Sequence, residues 1–393
     1  MSPPPTPGLS SVRVLDLTDQ PAATWDVLAV RAEGGEALQS HAWGEFKREA
    51  SGWTVLRYLV EDERGPLAAA SLLGLPVTEL AAPRFLPGPV AAAARPLAGR
   101  LLYAPFGPVL LRDEPGVALV VLRALRAAAR RAGASLLIVD PAWPLGGPQA
   151  AALDLASFWT SPVQIQISTT GVLVPLAGDA GAQHALLSDN VARNVNRAAR
   201  AGVTVERIGR DSPLEAREAA YRSSYEILDL TGRRKGFALR PEAYHVASTR
   251  ALVEAGAASL FFARRDGLDV AHTVVHHCGS RALLFQTGER DDAPRRVPAN
   301  FGLQWAIISW AREAGFRAYD MGGVNVAGDP RLPTGPDHPT WGLLGFKRQW
   351  GGRPVAYVGT SVWSPTNLRG AALRMASFAA ARALGGRRLA AAM

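Results

Sequence analysis

Three short segments hold the residues best suited to chemistry: WGEFKREASGW at 43–53, TGRRKGFALRPEAY at 231–244 and GFKRQWGG at 345–352. Each sets a lysine beside glycine and aromatic rings. Lys47, Lys235 and Lys347 are all the lysines of a chain with 43 Lys and Arg together. Where arginine meets nearly every cationic need, a retained lysine points to a compact, titratable ammonium. A cation, a ring and a glycine in one place suit a site that holds an anion and a flat group close to the backbone. Arg233, Arg234 and Arg240 add charge to the second segment, and Tyr244 adds a ring.

Other chemistries are poorly supplied. His272, His276, His277 and Cys278 fall on one predicted strand, where alternation puts His272 and His276 on one face and His277 on the other. No acid or second cysteine stands at ligand spacing, so no metal is expected. His41 and His338 are single and sit in predicted loops. There is no H-E-x-x-H, no G-x-S-x-G and no G-x-x-x-x-G-K-[ST]. A CoA-dependent acyltransferase would lay a glycine-rich turn under the pyrophosphate just before its central helix. The corresponding turn, RRVPANFGLQWA at 295–306, carries Pro298 and no Gly-x-Gly, which argues against CoA. No cofactor is expected.

The elements that must position these segments occur twice. WTVLRYLVEDERGPLAAASLLG, from residue 53, reads as strand, turn, strand, with its tip at Asp62–Gly65; SLFFARRDGLDVAHTVVHH, 259–277, repeats this with Asp266-Gly267 at the turn. A helix follows each hairpin, 118–133 and 300–315, closed by Gly133 and Gly315. A strand ending in Asp comes next, 135–141 and 316–323. The repeated order predicts two similar α/β domains, each a mixed sheet with helices packed on it. QIQISTTGVLVPL, from residue 164, reads as a strand entering the second domain, followed by one helix over 183–201. The Gly- and Pro-rich segment 325–340 reads as a loop. The tail LRGAALRMASFAAARALGGRRLAAAM, 368–393, reads as a basic helix packed back on the first domain, with contact to anionic lipid as the alternative.

Composition bounds the rest. With 393 residues, 48% hydrophobic and 20% charged, the chain has material for two cores. A single cysteine excludes a disulfide framework. MSPPPTPGLSS has neither a basic nor an apolar leader region, so no signal peptide is read and a cytoplasmic location is expected. The net charge of +9 favours a polyanionic partner: RNA, a nucleotide or anionic lipid.

A series of segments in one order gives these features a family. They are SHAWGEFKREASGW (40–53), YAPFGPV (103–109), IVDP (138–141), QIQISTTGVL (164–173), RNVNRAARAGV (193–203), TGRRKGF (231–237), RPEAY (240–244), PANFGLQW (298–305), AGFRAYDMGGV (314–324) and FKRQWGG (346–352). In this order they resemble the Fem peptidyltransferases: FemA, FemB and FemX, the aminoacyltransferases of the peptidoglycan interpeptide bridge. The resemblance implies two tandem acetyltransferase-like (GNAT-like) domains. The first, 1–160 with 359–393 packing back, would bind the precursor. The second, 161–358, would bind the acceptor end of aminoacyl-tRNA. The implied reaction is attack of a stem-peptide amine on the aminoacyl ester. The implied partners are aminoacyl-tRNA and a UDP-linked or lipid-linked muropeptide, with a peripheral contact at the inner membrane face and a monomeric chain.

Residue roles follow the matching motifs. Lys347, with Phe346, matches the lysine near the reacting carbonyl and would steady the oxyanion and the leaving ribose oxygen. Lys47 and Arg234, with Arg233 as alternate, match positions that hold the precursor's phosphates. Tyr103 and Tyr244 would line the sugar-peptide channel. Asn300, Gln304 and Trp305 open the second domain's central helix, and Tyr319 and Asp320 end a strand. Asp320 would either orient the amine or cap the loop after it. The family often has Arg after the Pro of the YxPxGPV motif and an acid two residues beyond its Val; here those positions are Phe106 and Leu111. Asp113 is the near substitute, and otherwise the amine's proton goes to water or substrate. No long charged heptad stretch interrupts the second domain, so the chain is expected to be armless, like FemX. Three other readings remain: a Fem-like transferase acting on a different amine, a CoA-dependent N-acyltransferase, and a non-catalytic RNA- or precursor-binding protein.

Overall fold

A computed structural model describes residues 11–76, 99–161, 164–166, 169–290, 297–324 and 332–365. The predicted tail helix at 368–393 and residues 325–331 of the predicted loop lie outside these. The described chain forms two compact units, one of residues 11–169 with 356–365, the other of 170–324 with 332–355.

The first unit contains β1 (Arg13–Asp16), α1 (Ala22–Ala29), α2 (His41–Ser51), β2 (Thr54–Asp62), β3 (Gly65–Pro76), β4 (Arg100–Ala104), β5 (Val109–Leu110), α3 (Val117–Arg131), β6 (Ala134–Val139), α4 (Pro148–Leu155) and β7 (Trp159–Thr160). The second contains β8 (Thr170–Pro175), α5 (Ala180–Ala185), α6 (Asp189–Arg200), β9 (Thr204–Ile208), α7 (Leu214–Lys235), α8 (Glu242–Glu254), β10 (Ala258–Arg265), β11 (Leu268–Cys278), β12 (Arg281–Glu289), α9 (Ala299–Glu313), β13 (Ala318–Asp320), α10 (Trp341–Arg348) and β14 (Arg353–Ala356). The chain then returns to the first unit as β15 (Ser361–Trp363).

The first sheet runs β1-β2-β3-β4-β6-β15-β7, with β5 beside β3; the second runs β9-β10-β11-β12-β13-β8-β14. The two orders correspond strand for strand. In each, an antiparallel run leads to one parallel pair, β4 with β6 and β12 with β13. Parallel neighbours need a crossover, and here it contains α3 or α9. The next strand in each, β15 or β8, is antiparallel again. The duplication read from the sequence therefore extends to the hydrogen-bond pattern. The fold is mixed α/β in two similar units, and no long two-helix arm is present among the described residues, where the longest helix, α7, has 22 residues.

Local sequence explains these elements. Asp266 (φ 51°) and Gly267 (φ 78°) both sit in the left-handed region, the geometry of a type I′ turn matched to strand twist. Helix α3 buries Val117, Val121, Leu125 and Ala128 against the first sheet; α9 buries Leu303, Ile307, Ile308 and Ala311 against the second. Each buried Leu, Ile or Val contributes about 2 kcal/mol.

Three expectations are corrected. The single helix over 183–201 is two, α5 and α6, because Ser188 Oγ accepts the Val191 N–H at 3.3 Å and Asp189 sits in the first turn, so a new helix starts there. The entering strand is only β8. Its first residues bind Thr360 instead: Ile165 N–H donates to Thr360 Oγ (2.9 Å), and Thr360 N–H donates to Gln164 Oε1 (2.7 Å). The strand over 316–323 shrinks to β13, because Gly322 turns the chain at φ 75°.

Candidate functional site

In the second unit the chemistry centres on Lys347, in the last turn of α10. The side chain is 7% exposed. Its Nζ donates to the carbonyls of Gly322 (2.9 Å) and Gly323 (2.7 Å), in the turn after β13. Asp320 builds that turn: Oδ1 accepts the Gly322 N–H at 2.9 Å, and Oδ2 takes Arg281 Nη1 at 3.1 Å. Burial pulls the Lys347 ammonium down to about 8 from 10.5, while the charge of Asp320 opposes the shift. The result is an ammonium with two N–H groups fixed by backbone and one further N–H to give. Glycine at 322 is required by geometry: besides the positive φ, a Cβ there would meet Leu284 O at 3.0 Å.

The other predicted residues of this unit divide. Tyr319 and Asp320 alternate along β13 and face opposite ways. Tyr319 OH donates to Gln304 Oε1 at 2.7 Å, and Gln304 Nε2 donates to Asn300 Oδ1 at 3.3 Å, so three predicted residues form one ladder against α9. Tyr319 and Gln304 are fully buried there. Phe346 lies edge-on to Phe301 at 5.3 Å and Trp305 edge-on to His184 at 5.8 Å. Arg233 and Arg234 end α7, where cations complement the helix dipole. Arg233 pairs with Asp229 at 2.6 Å, Arg234 reaches Glu289 O at 3.1 Å, and Arg240 stacks on the Tyr244 ring at 4.9 Å. The basic segment that starts at Thr231 is thus, as far as Lys235, a helix end. The strand histidines belong to the core: burial pushes His272 and His276 down to about 3, His272 Nδ1 meets Ser224 Oγ at 3.2 Å, and His276 stacks on Phe285. Among the described residues no group of three or more His, Cys, Asp or Glu could hold a metal ion.

In the first unit, Lys47 on α2 is 2% exposed, its Nζ 5.2 Å from the Trp53 ring centre and 6.0 Å from that of Trp43. Trp43, Trp53 and Tyr103 share one apolar cluster, on the sheet face opposite α3. Tyr103 leads to a residue the sequence reading passed over. Asp140 Oδ2 accepts from Tyr103 OH (3.3 Å), Thr360 Oγ (3.1 Å) and the Gln166 N–H (3.4 Å), while Gln166 Nε2 donates to Tyr103 OH at 2.8 Å. Three donors favour the carboxylate, yet burial outweighs them and pushes Asp140 up to about 7. The signal was a strand ending in Asp within IVDP, read as a mark of the repeat and as one of the family segments, with no role given to Asp140. Arg281 had no such signal. Leu111 offers no acid, and Asp113 accepts a bond from Gln149 Nε2 at 2.7 Å.

Known proteins agree with this architecture. A family model described as an acetyltransferase (GNAT) domain matches residues 188–332. No curated protein matches the sequence. Among solved structures, a crystal structure of FemX superposes with a TM-score of 0.72 at 18% identity, covering 93% of this chain and 100% of that one. The chain has the FemX fold. The resemblance carried by the ordered motifs holds at this level. Looser superpositions include L-PGS from Bacillus licheniformis (TM-score 0.47, 12% identity, 88% of this chain and 98% of that one) and a tandem GNAT protein of the clavulanic acid pathway (0.45, 13%, 91% and 100%). No helix among the described residues is long and apolar enough to cross a membrane.

Proposed function

We propose that the protein transfers an amino acid, glycine, alanine or serine, from aminoacyl-tRNA to the side-chain amine of a peptidoglycan stem peptide. The observation that carries this reading is the buried Lys347 ammonium, held by two carbonyls in a turn built by Asp320. An aminoacyl ester is already activated, so the reaction needs placement and oxyanion stabilisation rather than a thiol or a nucleotide loop. The amine nitrogen attacks the ester carbon. The C–N bond forms, the C–O bond to ribose breaks, the amine loses a proton and the ribose oxygen gains one. Lys347 donates its remaining N–H to the oxygen on which charge develops. Asp320 acts through the turn and is a positioning residue. In the first unit, Lys47 and Tyr103 hold the precursor. Pro298, at the start of α9, supplies no N–H for a CoA pyrophosphate, which disfavours CoA as donor.

The test is transfer of labelled Gly, Ala and Ser from charged tRNA to nucleotide-linked and lipid-linked acceptors, with Lys347→Met beside the parent. One label should transfer, and the variant should lose about 10²–10³ in rate. No transfer to either acceptor would sink the cross-bridge reading and favour another amine.

A further inference from the structure

Helix α3 carries Arg123, Arg126, Arg130 and Arg131, which with Val12, Val14, Ala124 and Ala127 line a groove of about 480 Å3 beside β1. We propose that this groove binds the phosphodiester backbone of RNA. The choice of RNA as ligand class agrees with the transfer reading and does not depend on it, since the groove lies in the other unit from Lys347 and its binding is measured without transfer.

The first argument is charge. The spacing puts all four arginines along one side of the helix, over about 12 Å at 1.5 Å per residue. None of the four pairs with a carboxylate among the described residues, whereas Arg13, Arg64, Arg112, Arg250 and Arg281 each do. Arg123 and Arg130 also disfavour the charge on Arg126, which burial lowers first. A stripe of guanidinium groups without a carboxylate partner among the described residues is relieved by a ligand carrying several negative charges. At about 3.4 Å of axis per phosphate of one strand, 12 Å faces three or four of them.

The second argument is shape and rigidity. Arg126 and Arg130 lie over the Trp363 ring at 5.1 and 4.9 Å, and Arg126 also donates to Ala156 O. Both guanidinium groups are held against the ring before any ligand arrives, which lowers the ordering cost of phosphate contacts. The groove is concave, and its apolar lining is small: two valines and two alanines. A bilayer surface is gripped by protruding large apolar side chains, which this lining lacks. A basic groove that tracks a strand is the common form of sequence-tolerant nucleic-acid binding.

The experiment measures binding of bulk uncharged tRNA over a range of salt, and of phosphatidylglycerol vesicles in parallel. The variants are Arg123→Gln/Arg130→Gln/Arg131→Gln, the milder Arg123→Gln/Arg131→Gln that keeps both stacked arginines, and a control of equal charge loss at arginines paired with Glu114, Glu218 and Glu313, Arg64→Gln/Arg250→Gln/Arg312→Gln. The triple variant should bind tRNA at least tenfold more weakly at low salt, with a slope against log salt shallower by about 2 to 3; the double should fall between. The control should keep the parent slope. Equal losses in triple variant and control, or no loss in either, would overturn the proposal. So would vesicle binding lost with tRNA binding intact, which would assign the groove to anionic lipid.

Discussion

Lys347 and Asp140 are two buried ionisable groups shifted in opposite directions, and each has a pH signature. For Lys347 the folded value of about 8 lies below the unfolded 10.5, so the folded state carries a deficit below pH 8 that fades as pH rises to 10.5. Compared with Lys347→Met, the parent should gain up to about 3 kcal/mol of stability across that window, read as a shift of urea midpoint. Transfer should weaken above pH 8 as the ammonium deprotonates; a rate still rising at pH 9 would assign Lys347 another role. Asp140 is raised from 3.8 to about 7, so stability is fully present below pH 3.8 and lost as pH climbs through 7. Asp140→Asn should abolish that loss, a difference of up to about 4 kcal/mol between pH 4 and 8. Equal slopes in both proteins would mean that Asp140 stays ionised throughout. At this scale rarity and company marked Lys47, Lys235 and Lys347 alike, and the resemblance to the Fem family singled out Lys347. The sequence did not show the cage, because Gly322, Gly323 and Arg281 become partners only through the turn after β13 and its pairing with β12.

The elements tell a similar story. The hairpins, α3, α9 and the strands after them were legible because period-2 and period-3.6 patterns ended on Asp-Gly or Gly. The break between α5 and α6 was not, since apolar spacing ran through it while a serine cap decided against continuity. Ser188→Ala should lower stability by about 1 kcal/mol. The segment GRRKG was read for its charge and not for its secondary structure; its cations sit where a helix C-terminus favours them. Lys347 also depends on how α10 meets β8: a Cβ on Gly352 would lie 2.5 Å from Val172 Cγ1 and 2.9 Å from Lys347 O. Gly352→Ala should therefore cost about 1–3 kcal/mol and reduce transfer, with a matching loss in denaturant midpoint. An unchanged midpoint would show that this corner yields easily.

At the scale of the whole molecule, the repeat was read from element order, and the strand-for-strand match of the two sheets extends it. What composition could not reveal is that the first sheet needs a strand from the far end of the chain. β15 lies between β6 and β7, with Ser361 opposite Val139 and Thr160. A chain ended at residue 355 should lose cooperative unfolding of the first unit, seen as loss of its tryptophan near-UV signal. A melting point within about 5 °C of the parent would contradict this.

That arrangement also sets an order on synthesis. The ribosome emits β1 to β7 first, then the whole second unit, and only afterwards the strand that fills the gap in the first sheet. At ~5–20 residues per second, the gap stays open for roughly 10–40 s, with the backbone groups that β6 and β7 will offer to β15 still lacking that partner. The usual rule that the N-terminal domain matures first is reversed here. Sites that slow translation within the second unit lengthen the exposure of those edges.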